Sequence, residues 1–116
     1  MVSVEVKAEK REAEYSLSCI KRLAAEGSVS YASSRVQRHI ENLDYSPSDV
    51  HECLSKLTPE HYQKSILYEN RPSWLDVYHI RYAASGSYEE DLYIKLKLNR
   101  DCIIVELHSF HPEGWL

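Results

Sequence analysis

The sequence predicts an α+β domain, with N-terminal helices packed on an antiparallel β-sheet formed mainly by the C-terminal half. Three observations carry this. Residues 15–60 hold apolar side chains at helical spacing between serine and proline start signals. Residues 61–111 break into four segments that alternate or are rich in β-branched and aromatic residues. The 116-residue chain is 43% hydrophobic and 28% charged, enough to bury one core and too apolar for wholesale disorder. The order of elements, helices and then strands, is that of an α+β arrangement.

Residues 1–14 mix charges with few apolar groups and read as a flexible N-terminal arm, leaving residues 15–116 as a single domain. Ser16 caps a helix whose stripe is Leu17, Ile20, Leu23 and Ala24, and Gly27 stops it. A second helix is expected over about Ala32 to Leu43, burying Val36, Ile40 and Leu43. Ser46 before Pro47 starts a third, because proline suits the first helical position; it carries Val50, Cys53, Leu54 and Leu57. Thr58 and Pro59 open a short turn. Strands follow over Tyr62–Tyr68, Trp74–Tyr82, Leu92–Leu98 and Cys102–Phe110, a four-stranded meander.

Side-chain alternation assigns the faces. With Arg100 and Asp101 as the turn of the last hairpin, Leu98, Leu96 and Ile94 lie opposite Ile103, Val105 and Leu107, an apolar face. On the reverse, Lys95 meets Glu106 and Tyr93 meets His108. A slip of one residue would mix apolar and charged groups on both faces. Arg-Asp is not a favoured two-residue turn, and a four-residue loop keeps the same parity. In Trp74–Tyr82 the core side takes Trp74, Tyr78, Ile80 and Tyr82, leaving Leu75, Val77, His79 and Arg81 outside. Asp76 then falls on the core side and must sit at an edge or accept hydrogen bonds.

The formal net charge of −4 divides evenly, with 8 basic and 10 acidic groups in residues 1–60 and 6 and 8 in residues 61–116. That argues against indiscriminate nucleic-acid binding, so any anion site must be local. Cys19, Cys53 and Cys102 are odd in number and widely spaced, and they read as small apolar residues rather than a disulfide or zinc framework. No apolar run is long enough to span a bilayer and the N-terminus lacks a signal-peptide core, so the expected location is cytoplasmic.

The polar sheet face collects Lys64, His79, Arg81, Tyr93, Lys95, Lys97 and His108. Cutting RNA without a metal needs a base for the ribose 2′-hydroxyl, an acid for the leaving 5′-oxygen and cations around the phosphorane-like transition state. His108 or His79 can move protons near pH 7, Lys64 and Arg81 can hold the phosphate, and Tyr93 can orient a hydroxyl or stack on a base. Lys95 is a further substrate-binding candidate, its other reading being a solvated strand lysine. His108 and His111, spaced HSFH, make a poor metal pair, because a regular strand sends them to opposite faces and no third ligand is evident. No metal or cofactor is expected. His39, His51 and His61 read as surface or packing histidines.

The segments EYSLSCIKRL at 14–23, DVHECLSKLTPEHYQKSI at 49–66, WLDVY at 74–78, LYIKLKL at 92–98 and IIVELHSF at 103–110 resemble, in order and spacing, the motility/quorum-sensing-regulator (MqsR) toxins. The resemblance runs from Glu14 to Phe110. It implies a RelE-like fold and a bacterial type II toxin–antitoxin toxin that cleaves mRNA. It also implies a functional lysine at Lys64, a tyrosine at Tyr93 and two cationic positions at His79 and Arg81. The lysine of the family's terminal motif falls on His108, and the glutamine of its W-Q-D-V-Y falls on Leu75. The implied partners are a cognate antitoxin protein and mRNA, with no membrane, in a homodimer or a toxin–antitoxin hetero-oligomer. The alternative is a catalytically degenerate member that acts as a protein- or nucleic-acid-binding regulatory module.

Overall fold

The computed structural model describes residues 5–115. Three helices pack on one face of a six-stranded sheet, counted among these residues, which bears out the α+β class. The elements are β1 (Val6–Lys10), α1 (Leu17–Ala25), β2 (Val29–Tyr31), α2 (Ser34–Asn42), α3 (Pro47–Ser55), a 3₁₀ turn (Pro59–His61), β3 (Tyr62–Tyr68), β4 (Leu75–Tyr82), β5 (Glu90–Leu98) and β6 (Val105–Pro112). The strand order is β1-β3-β4-β5-β6-β2, antiparallel except that β2 runs parallel to β6.

The helix starts are those the serines dictate. Ser16, Ser33 and Ser46 each accept a hydrogen bond from the backbone three residues on, and Asp49 Oδ2 accepts one from the Ser46 amide at 2.8 Å. Gly27 ends α1 with φ +76°, a conformation that costs glycine little. Ile20, Leu23, Ala24, Val36, Ile40, Val50, Cys53, Leu54 and Leu57 then meet Tyr78, Ile80, Tyr82, Leu92, Ile94, Leu96, Leu98, Val105, Leu107 and Phe110 in one core. Each large aliphatic buried there contributes about 1.5–3 kcal/mol.

Two strands depart from the expectation of a four-stranded meander. Val6–Lys10 is no arm but an edge strand along β3; the first four residues lie outside the described residues. Its charged composition, VKAEK, suits a strand with one edge facing solvent. The segment that follows is held by Asp76, which has no exposed surface and accepts hydrogen bonds from the amides of Glu14 (3.1 Å) and Tyr15 (3.0 Å) and from the Ser65 hydroxyl. The acid that fell on the core side is thus fully satisfied. The second addition, β2, is three residues long and carries too little pattern to stand out in the sequence.

The last hairpin takes the four-residue loop. Asn99 pairs with Ile104 through the backbone at 3.0 Å, and its Oδ1 accepts from the amides of Ile103 and Ile104 at 2.8 and 2.9 Å. Cys102 turns the chain at φ +55°. The register therefore sits two residues beyond the Arg100-Asp101 pairing, with Leu98 opposite Val105, Lys97 opposite Glu106 and Leu96 opposite Leu107. Parity is kept, so the apolar face survives. Of the cysteines only Cys53 is a core residue; Cys19 is half-buried and Cys102 exposed, because the loop turns on it.

Candidate active site

Past Leu107 the strand β6 carries one extra residue. Leu96 pairs with Leu107 but Lys95 pairs with Ser109, so His108 and Ser109 together oppose Lys95. This β-bulge turns two consecutive side chains outward and then returns Phe110 to the core. The pairing of Tyr93 passes to His111 instead of His108. It also cancels the argument that HSFH splits across the sheet, since His108 and His111 line one cavity on the outer face.

Across that face the pairing builds a lateral row: Lys64 opposite Val77, Val77 opposite Lys95, and Lys95 opposite Ser109. The row ends under α2, which packs beside β6 where β2 has finished. Val36 and Ile40 bury against the core, while Arg35 and the buried His39, one turn apart, line the cavity at the rim. Two adjoining cavities, about 320 and 200 Å³, share Arg35, Lys95, His108 and Ser109. Tyr68, Asn70, Arg71 and Leu75 complete the larger, and Tyr93 and His111 line the smaller.

His108 is the central group of this cleft. Its side chain is 10% exposed, and its buried Nε2 has no hydrogen-bond partner among the described residues. Glu106 Oε1 lies 3.8 Å away, beyond hydrogen-bond reach. Burial first, then the positive charges of Arg71, Lys97 and Lys95, hold the imidazole below its ordinary pKa, with Glu106 opposing. At neutral pH it is an uncharged ring with a free nitrogen among cations, the state a proton acceptor needs.

Tyr93 and Lys95 are fixed beside it. Burial raises the Tyr93 phenol to about 12, helped by Tyr68 and Glu113, so it keeps its proton and can donate a hydrogen bond. The Lys95 ammonium donates to the Tyr68 hydroxyl at 2.7 Å and lies 5.0 and 5.6 Å from the centres of the Tyr68 and Tyr93 rings. It makes no pair with Glu106, because the two-residue shift of register sets Lys97 opposite that carboxylate. Leu75 is 3% exposed and forms part of the cleft wall, so the position of the family's glutamine is within the site but offers no hydrogen bond.

Lys64 and Arg81 lie on the same face without lining either of these cavities. Lys64 is two strand spacings from Lys95, roughly 10 Å, and its ammonium pairs with Glu9 of β1 at 3.2 Å. Arg81, 66% exposed, pairs with Asp91 at 3.0 Å and Glu89 at 3.4 Å. The sequence puts both on one polar face with His108 and Tyr93 as phosphate-holding candidates; the structure keeps them on that face, but neighbouring carboxylates hold them outside the two cavities. His79 stands opposite Tyr93 and lines a separate hollow with Arg81, Asp91 and Glu113. Sequence reading missed Arg35, Arg71, Ser109 and His111. A signal for the last two existed: Leu107 and Phe110 are both apolar yet three apart, which no regular strand can put on one face.

No curated protein matches the chain. A family match covers residues 12–111, which include every residue of the cleft, and its description is the motility quorum-sensing regulator, toxin of MqsA. The ordered motifs, the fold and this match together place the chain in that toxin family.

Proposed function

We propose that this chain is the toxin of a type II toxin–antitoxin pair and acts as a metal-independent mRNA endonuclease. The observation that carries the reading is the buried, uncharged imidazole of His108, with a free Nε2 among Arg35, Arg71 and Lys95. In this mechanism Nε2 takes the proton of the ribose 2′-hydroxyl, and the 2′-oxygen attacks the adjacent phosphorus. Lys95, Arg35 and Arg71 balance the charge that builds on the phosphorane oxygens. Tyr93, still protonated, donates to the leaving 5′-oxygen. The products are a 2′,3′-cyclic phosphate and a free 5′-hydroxyl. A protein antitoxin restrains the activity by analogy with the toxin-of-MqsA description of the family.

Because every step uses side chains of the cleft, cleavage should proceed in EDTA and leave cyclic or 3′-phosphate ends, read by mapping RNA termini after incubation with purified protein. Activity that vanishes with chelator and returns with magnesium or zinc would overturn the mechanism. One observation favours a second reading, a binding module without catalysis: Leu75 closes the position of a polar family residue with an apolar wall. That reading gains if the wild-type protein is harmless on expression, never cuts RNA and still binds a partner encoded beside it.

A further inference from the structure

Five rings run in contact across the outer face. His79, Tyr93 and His111 are paired positions on β4, β5 and β6, with centroids 5.3 and 5.5 Å apart. The row leaves the sheet through His39 of α2, 4.9 Å from His111, and ends at Trp115, 5.9 Å beyond. None belongs to the core cluster under the helices. The Tyr93 and His111 rings are nearly parallel, at 23°, the other three contacts are tilted or edge-on at 56, 64 and 69°, and the indole of Trp115 is 37% exposed. An exposed indole at the end of a run of rings has little to contribute to folding.

We infer that this row is a stacking platform for unpaired nucleobases, so that the protein takes single-stranded RNA and holds a base beside the cleavage groups. The inference rests on the nuclease reading above and adds the form of the substrate. The 200 Å³ cavity is lined by Tyr93, His111 and His39 together with Arg35 and Lys95, rings for a base next to cations for its phosphate. Burial keeps the His111 imidazole below its ordinary pKa, and its Nδ1–H donates to the Pro112 carbonyl at 2.8 Å, so an uncharged, fixed ring faces the cavity. Charge also sets a direction. At the His79 end the adjoining hollow holds Asp91 and Glu113 against Arg81 alone, whose charge Asp91 already pairs, and this balance disfavours a phosphate chain. The strand of nucleotides therefore runs from the Lys95 cleft toward Trp115. A duplex hides its base faces and gains nothing from such a row.

The test uses a fluorescent 2′-O-methyl oligoribonucleotide, which binds without being cut, with copies carrying one abasic position and a duplex of the same sequence. Anisotropy titration should give binding of the single strand well above that of the duplex. Trp115→Ala and His111→Ala should each weaken it about 5- to 100-fold, the range of one base–ring stack. His111→Phe, which keeps a ring, should restore most of the loss. An abasic oligonucleotide should be insensitive to one of the two alanine changes, because the partner of that ring is already gone. Equal binding by wild type and both alanine variants, or equal binding of duplex, overturns the platform. If wild type nonetheless cuts RNA, the nuclease reading stands alone. Ring-dependent binding by a protein that never cuts RNA leaves the platform standing and removes the nuclease.

Discussion

The outer face of the sheet has two halves of similar composition and opposite character. On β1, β3 and the far end of β4, Lys64 answers to Glu9, and Arg81 to Asp91 and Glu89. On β5, β6 and the rim of α2, Lys95 is held by a phenol and two aromatic rings, and His108 by nothing but its burial. Both halves offer cations on a strand face. Among the described residues, the second half leaves the Lys95 charge uncompensated by a carboxylate within hydrogen-bond reach, whereas the hollow beside Arg81 is lined by Asp91 and Glu113 as well. A cation's neighbours, more than its face, decide whether it is available to a phosphate.

The largest effect should come from Asp76, which underlies the first half by anchoring the segment that follows β1. Asp76→Ala removes the acceptor of two part-buried amides and of the buried Ser65 hydroxyl, and should cost about 3 kcal/mol in denaturant unfolding. A loss under about 1 kcal/mol would mean the β1 side is not tied down in this way. Next, His108→Ala should lower RNA cleavage about a hundredfold while leaving the unfolding midpoint nearly unchanged, since no hydrogen bond is lost with it.

Lys64→Ala and Arg81→Ala test the contrast directly. Because each charge is already paired at the surface, each change should reduce cleavage less than about fivefold. A loss for Lys64→Ala equal to that for His108→Ala would extend the active site across β4 to β3 and dissolve the distinction. Leu75→Gln returns a polar group to the cleft wall and should leave cleavage unchanged or raise it; a steep loss would mean the apolar wall is itself required.

The smallest effect is in pH dependence. Burial lowers the pKa of both His108 and His111 below the ordinary 6.5. The unfolded chain therefore binds protons that the folded one resists, so stability should be full above pH 6.5 and fall as pH drops below it. Melting temperatures across that range should show the decline, and His108→Ala should reduce it. Cleavage that needs the neutral imidazole should likewise persist somewhat below pH 6.5 before its acid limb begins.

Most of the helical half was legible because serine caps and proline starts act locally. The outward set of β4 and β5 was legible too, since alternation fixes parity. Parity cannot fix register: a two-residue and a four-residue loop give the same faces, and the choice between them rests on Asn99 bonding to two amides. Arg35 and Arg71 were out of reach because they come to the cleft from a helix rim and a loop, through contacts no periodicity encodes. The pairing of Lys64 with Glu9 needed β1, whose charged pattern resembles that of a solvated tail.

The extra residue in β6 has a consequence for how this surface can change over time. A regular strand gives the outer face every second position, so altering the cleft there means altering single, isolated side chains. At His108 and Ser109 two neighbouring codons both face outward, while Leu107 and Phe110 on either side keep the core filled. Substitutions at that pair can re-equip the cleft without touching the interior. Deleting one of them would leave Leu107 and Phe110 two apart, as a regular strand places them, so the core face would persist while the cleft lost one of its two adjacent side chains. Either kind of change at this position falls on the cleft and spares the core.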